Sequence, residues 1–395
     1  MSASFLIFVL VNHRSVNLQL SLCRRIFLLH WFLCQIFTLW WAHSELAIVA
    51  IMVPWRVACI HLQLLVWASI ILSTLALSNP VQEFLSSVEG PGYNNRPLPP
   101  LEPRAQALLK KLDLQASSEP KLAAVSQESI PRLLSATAPA VLRAASGVFA
   151  QGYKIQLVPR DDTKYAYAAT ADRQIEETGV YRPPIEPIIL YEFESCPFCR
   201  KVREACSMLS LPVRFRPTPK NGRRFRAAIK EKHGDSATFP YMEDPNTFST
   251  MFESQKIIEY LFRVYGNGDP VPWTLRESPL VPLTAGLGVG LFRLGAGGTY
   301  EFANIPEKPL VLWAYEGSPF CKLVRERLSA MEMEHLVIYT PRGSQNRQKL
   351  WEKTGRFQVP YLEDPNTGVN LFESEAIVEY LNKQYAVAES PVNVM

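Results

Sequence analysis

Along the chain, apolar and polar positions form one pattern that occurs twice. Pro187 to Phe193 (PIILYEF) is a short apolar run, after which apolar residues recur at Phe198, Val202, Ala205, Cys206 and Leu209. That spacing predicts a buried strand running into an amphipathic helix. Val213 and Phe215 alternate with Arg214 and Arg216, which predicts a second strand. A basic helix over Arg223 to Lys232 follows, then a strand entered through Phe239-Pro240-Tyr241, an Asp244-Pro245-Asn246-Thr247 turn and a strand ending near Phe252. Ser254 is placed to cap a last helix that carries Ile257, Ile258, Leu261 and Phe262 inward. The block reads β-α-β-α-β-β-α in about 75 residues, a size at which a single core is marginal unless it packs on something else.

The same block returns between Tyr315 and Leu381. Cys199 and Cys321 lie 122 residues apart, and the pairs Pro240/Pro360 and Glu253/Glu373 lie 120 apart. A spacing held this well marks a duplicated folded unit. The chain is therefore divided into an apolar leader or membrane segment (1–80), a linker with a helical extension (81–184), module 1 (185–266), an inter-module linker (267–307) and module 2 (308–386).

Outside the modules, two runs dominate residues 1–80: Ile26 to Ala42 and Leu62 to Leu77, preceded by Arg24, Arg25 and Arg56. Each falls slightly short of the roughly 20 apolar residues of a membrane span. A leader that is removed is the expectation, with a retained anchor over 26–42 or 62–77 as the alternative. Ala105 to Leu114 and Pro131 to Phe149 carry helical spacing, and with Tyr153 to Leu157 they are expected to cover module 1. Leu142 to Tyr153 faintly echoes Leu283 to Tyr300, so each module is expected to bring an upstream segment of its own. The Pro- and Gly-rich stretch Gly266 to Pro306 has room for one short helix.

Charge and cysteine usage narrow the class. A net charge of +4 with mixed signs leaves no nucleic-acid footprint, so no nucleic-acid partner is expected. Of seven cysteines, Cys196, Cys199, Cys206 and Cys321 lie beyond the leader. They do not form a secreted disulfide framework, and they suit a reducing compartment such as a plastid stroma or the cytosol.

Cys196-Pro197-Phe198-Cys199 at a predicted strand-to-helix turn, Phe239-Pro240 further on and Glu253-Ser254 opening the last helix together resemble the glutaredoxin branch of the thioredoxin fold. The nearest form is the glutathione transferase N-terminal domain, and the doubled arrangement resembles tandem proteins of plant and algal plastids. The implied fold class is α/β with two tandem thioredoxin-like domains. A CxxC is also half of a zinc site, but no second CxxC is present and no metal is expected.

The resemblance assigns roles. Cys196 would be the nucleophile, its thiolate favoured by the helix N-terminus and by Arg200, Lys201 and Arg203, with Cys199 as the resolving thiol. Pro240 and Pro360 would be cis, so that Phe239 and Val359 offer backbone groups to the cysteinyl part of glutathione. Glu253-Ser254 and Glu373-Ser374 would hold its γ-glutamyl end. Plain readings stand beside these: an inert buried cysteine pair, trans prolines at a strand edge, and simple helix capping. In module 2, Ser318 replaces the attacking cysteine while Cys321 remains. That site either donates a hydroxyl to bound glutathione or is structural.

The leading reading is a glutathione-linked thiol-disulfide oxidoreductase acting on disulfide-containing substrates. One alternative is a non-catalytic scaffold that binds glutathione or a partner. Another is a membrane-anchored glutaredoxin-like isomerase, which needs the leader to be retained. No large helical domain follows module 1, which argues against a conventional transferase with a broad apolar pocket.

Overall fold

The computed structural model describes residues 100–114, 130–278, 280–290 and 292–387. Both apolar runs of the first 80 residues lie outside that range, and among the described residues no helix is long and apolar enough to cross a membrane. Helices α1 (Pro103–Lys111) and α2 (Ile130–Leu142) come first, followed by a small antiparallel sheet of β1 (Lys154–Pro159), β2 (Ala168–Ala169) and β3 (Arg173–Thr178). The first repeat then supplies β4 (Ile188–Glu192), α3 (Pro197–Met208), β5 (Pro212–Pro217), α4 (Phe225–His233), β6 (Tyr241–Asp244), β7 (Ser249–Phe252) and α5 (Ser254–Tyr265). After α6 (Leu280–Gly290), the second gives β8 (Leu310–Ala314), α7 (Pro319–Ala330), β9 (His335–Tyr339), α8 (Asn346–Thr354), β10 (Tyr361–Asp364), β11 (Val369–Phe372) and α9 (Ser374–Tyr385). The β-α-β-α-β-β-α order predicted for each block is the one found.

The repeats do not form two separate sheets. All eight of their strands join in one, in the order β11-β10-β8-β9-β5-β4-β6-β7. Within each module the first two strands run parallel and the last two complete it antiparallel. At the centre β5 and β9, equivalent strands of the two copies, pair antiparallel with Val213 opposite Val337 and Phe215 opposite His335. Self-pairing of equivalent strands is what a two-fold relation between copies requires. It also removes the exposed edge each module would otherwise present.

One apolar core runs under the joined sheet, from Val202, Ile257 and Leu261 of the first module to Val324, Ile377 and Leu381 of the second. The opposite face carries two smaller clusters. Tyr191 and Tyr241 pack there with Phe225 and Ile229 of α4, and Trp313 and Tyr361 with Leu350 of α8. The last helix of each module is tied down by a buried aspartate: Asp244 accepts from Tyr260 and Tyr265 at 2.6 and 2.7 Å, and Asp364 accepts from Tyr380 and Tyr385.

Between α3 and α7 lies a buried network of charges arranged across the seam. Glu316, from the second module, accepts from Arg203 and pairs with Arg200 and Arg325. Its counterpart Glu194 pairs with Lys322 at 2.8 Å, Arg325 at 3.2 Å and Arg203 at 3.3 Å. Arg143 closes on Glu204 at 2.7 Å, and Arg293 plays the same part for Glu326. Burial alone would raise the Glu194 carboxyl, but Arg203, Arg325 and Lys322 hold it well below the usual range. Glu192, with Arg203 as its main cation, is pushed up by burial to about 7.

The upstream segments are exchanged between modules. Helix α2 packs on α7 and helix α6 on α3, so each copy's leading helix lies on the other copy. Phe149 bridges to Arg342, and Thr299 bridges to Lys220 at the equivalent place. Ser207 and Ser329 each donate to a glycine carbonyl of these segments, Gly147 and Gly297, at 2.6 Å. A Cβ on Gly317 would lie 2.1 Å from Val148, and one on Gly298 would lie 2.1 Å from the Ser195 hydroxyl. The faint echo between Leu142–Tyr153 and Leu283–Tyr300 is thus a structural repeat. The expected cover of module 1 by the extension is corrected in part: α1, α2 and the β1–β3 sheet lie on module 2. Among the described residues only the link between α2 and β1 touches module 1, through Arg143 on Glu204, Ser207 on Gly147 and Gln151 on Gly266. The helix expected over Pro131 to Phe149 ends at Leu142, where the crossing begins.

Removing one carboxylate leaves the buried network with an excess of uncompensated positive charge, although Arg200, Arg203 and Arg325 each keep at least one other carboxylate, and breaking a buried pair costs up to about 3–5 kcal/mol. Glu316→Gln should therefore lower the denaturation midpoint of the whole chain sharply, and an unchanged midpoint would contradict the cluster's role. His335, stacked on Phe215 at the seam with ring centroids 5.3 Å apart, has its pKa lowered to about 4 by burial. The unfolded chain binds this proton first, so stability should fall as pH drops from about 6.5 toward 4, by on the order of 3 kcal/mol. Urea melts across that window should show a weaker acid dependence in His335→Gln.

Candidate functional site

Cys196 is the N-cap of α3, with Pro197 at the first helical position. Proline is at home there because the first helical N–H has no intrahelical acceptor. The extended backbone of Cys196 turns its sulfur back over the helix end, where it accepts the N–H of Cys199 at 3.3 Å. The same sulfur lies 3.9 Å from the carbonyl oxygen of Phe239. A hydrogen bond from the Cys199 side chain lowers the Cys196 pKa, burial opposes it, and the amides of Cys199 and Phe198 add to the lowering. Cys199 is fully buried, and burial pushes its thiol well above the ordinary value.

Arg200 and Arg203 do not serve the thiol as the sequence suggested. Both point into the buried network, Arg200 to Glu204 at 3.0 Å and Arg203 to Glu192, Glu194 and Glu316. Lys201 reaches Gln255 of α5 instead. The polarisation of Cys196 therefore comes from local N–H and S–H donors.

The Phe239-Pro240 and Val359-Pro360 peptide bonds are both cis. Tyr241 pairs with Phe252, and Tyr361 with Phe372. That register sets Phe239-Pro240 beside Glu253-Ser254 and Val359-Pro360 beside Glu373-Ser374. Glu253 and Glu373 adopt φ of 74° and 68°, a left-handed conformation that residues with a Cβ seldom take. Glu253, not Ser254, is the N-cap of α5, and its side chain caps nothing, so the serine cap expected from the sequence is not formed. The first amides of α5 are left available beside an exposed Glu253 carboxylate.

Module 2 repeats the frame with different contents. The Ser318 hydroxyl accepts the Cys321 N–H at 3.3 Å, as the Cys196 sulfur does in module 1, and burial raises the Cys321 thiol. Glu373 accepts from Gln358, whereas among the described residues Glu253 has no such partner.

A pair of arginines, not singled out in the sequence, completes the comparison. Arg226 donates to the carbonyls of Thr218 and Pro219, with its guanidinium 4.8 Å from the Phe239 ring. Arg347 donates to Thr340 and Pro341 in the same way and stacks over Phe357 at 4.4 Å. Arg347 is then covered: Tyr165, from the β1–β2 connection, accepts its N–H at 2.9 Å and packs its ring 5.0 Å from that of Phe357. Among the described residues Arg226 has no equivalent cover, and it stays half-exposed. Thr-Pro followed by an arginine in both repeats was the available signal. Among the described residues no group of three or more His, Cys, Asp or Glu side chains is placed to hold a metal.

With its pKa lowered, Cys196 should be alkylated by iodoacetamide at a pH where free cysteine, of pKa about 8.5, reacts little. Peptide mapping of the native protein should find label on Cys196 ahead of Cys199, Cys206 and Cys321: all four are buried, but only the Cys196 thiol is lowered while burial pushes the other three up. Labelling of Cys206 or Cys321 ahead of Cys196 would refute this ordering.

The model of the family described as "Glutathione S-transferase, N-terminal domain" matches residues 190–269 and again 312–390. No curated protein matches the chain. Among solved structures, the Leishmania protein TDR1, titled a unique trimeric glutathione transferase, aligns at 14% identity over 52% of this chain and 68% of its own, with a TM-score of 0.18. The chain carries two tandem glutathione S-transferase N-terminal domains of thioredoxin-like fold.

Proposed function

We propose that the protein is a glutathione-linked thiol-disulfide oxidoreductase working at module 1, with module 2 retained as a structural partner. The observation that carries this reading is the environment of Cys196: a lowered pKa at a helix N-terminus, with its sulfur beside the Phe239 carbonyl.

The residues of module 1 suit glutathione. The backbone at Phe239 takes the cysteinyl part, the free first-turn amides of α5 take the γ-glutamyl carboxylate, and the exposed Glu253 carboxylate takes its ammonium. Glutathione supplies the reducing thiol. The Cys196 thiolate attacks one sulfur of a substrate disulfide, a new sulfur–sulfur bond forms at Cys196, and the leaving thiolate takes up a proton. A second thiolate then attacks the mixed disulfide and frees Cys196. Cys199, fully buried with its thiol pKa raised, is a poor second attacker, so release by glutathione is the favoured route.

The test is glutathione-dependent reduction of a small mixed disulfide by the full chain. Cys196→Ser should abolish turnover, whereas Cys199→Ser should retain most of it. Ser318→Cys should add little, because Glu373 and Arg347 are already engaged within the chain. Undiminished activity in Cys196→Ser would sink the proposal.

A further inference from the structure

The chain contains a worked example of what binds beside one of its own sites. On module 2, Glu177 of β3 pairs with Arg342 and lies 3.7 Å from Arg347, while Tyr165 caps Arg347. Gln348 accepts the Tyr165 N–H at 2.5 Å, so backbone as well as side chains of the insert are held. The occupant is a short polypeptide segment that presents a carboxylate and an aromatic ring to two cations.

Module 1 offers the matching surface, and among the described residues nothing occupies it. Lys220 stands where Arg342 does, each making the bridge to the exchanged upstream segment, and Arg226 stands where Arg347 does. Arg223 extends the face, its guanidinium 4.5 Å from the Phe302 ring. Lys220 and Arg223 are exposed, and among the described residues neither they nor Arg226 makes an ion pair. The acids of this face are already engaged. Glu332 accepts the backbone N–H groups of Arg223, Arg224 and Phe225, and Glu334 pairs with Arg216 and Arg224. Arg226 links the face to the thiol, since it stacks on Phe239, whose carbonyl lies against Cys196.

We propose that the face formed by Lys220, Arg223 and Arg226 receives an acidic, aromatic-bearing segment of a polypeptide partner, as the matching face of module 2 receives Glu177 and Tyr165. That this partner is a disulfide-bearing substrate rests on the exchange reading above; the surface itself does not. A segment held there lies beside Cys196, and opposite charge speeds its arrival while excluding basic segments.

The experiment is fluorescence anisotropy of the full-length protein with a labelled peptide rich in glutamate and carrying one tyrosine, alongside a lysine-rich isomer. The acidic peptide should bind and weaken with added salt. Lys220→Glu/Arg223→Glu should lower its affinity about tenfold, and Lys154→Glu/Arg173→Glu, the same charge change on the exposed insert, should leave it unaltered. Equal binding of both peptides, equal loss in both variants, or tighter binding of a single-stranded oligonucleotide would overturn the proposal. Binding does not need turnover: peptide bound with no disulfide reduction would retire the exchange reading alone, and reduction without peptide preference would retire the docking face alone.

Discussion

Pairing of β5 with β9 is the constraint on which the rest of the molecule depends. It turns two four-stranded units into one eight-stranded sheet and sets equivalent residues face to face. It also brings α3 and α7 close enough for Glu194 and Glu316 to meet cations of the opposite copy. A buried carboxylate is tolerated only when its charge is matched and its lone pairs are filled. The network matches Glu194 and Glu316 each to cations of the opposite copy only when the copies meet in this register. A module of this length has a marginal core alone, and sharing one apolar layer relieves that limit.

The joined architecture also divides labour. Both sites keep the same frame: a residue at the helix N-terminus, a cis-proline and a left-handed glutamate. In module 2 the glutamate and the nearby arginine are engaged from within, through Gln358 on Glu373 and through Tyr165 on Arg347. In module 1 the Glu253 carboxylate and the Arg226 face remain open. The cover on Arg347 comes from one insertion, the β1–β3 sheet, which follows the first crossing of the seam and among the described residues has no counterpart after the second, whereas the Gln358 contact on Glu373 is a difference within the module itself.

Much of this was legible in the sequence because it depends on local chemistry. The strand-helix alternation follows from apolar periodicity, and the duplicated fold follows from landmarks held at a constant interval. What the sequence did not disclose is relational. The Arg203 side chain looked like a source of field for Cys196, yet its direction is set by Glu192 and Glu194 on the preceding strand and turn and by Glu316 of the other copy. Ser254 carried a capping signature, but the left-handed Glu253 takes the N-cap position. Placement of the insert on the second module followed from a swap that no periodicity encodes; only the weak echo between the two upstream segments hinted at it.

The glycine contacts at the seam carry a historical consequence. Val148 fills the space that Gly317 leaves, while in the other half Ser195 fills the space left by Gly298. A position without a side chain on one copy faces bulk on the segment against it, in opposite senses on the two sides. The halves have diverged as complements, like a plug and a socket, and are no longer interchangeable. A chain built from two copies of the first half would set Val148 against Ser195, and one built from two copies of the second would leave Gly298 facing Gly317 across a void. Heterogeneity between the copies is thus a condition of their fit.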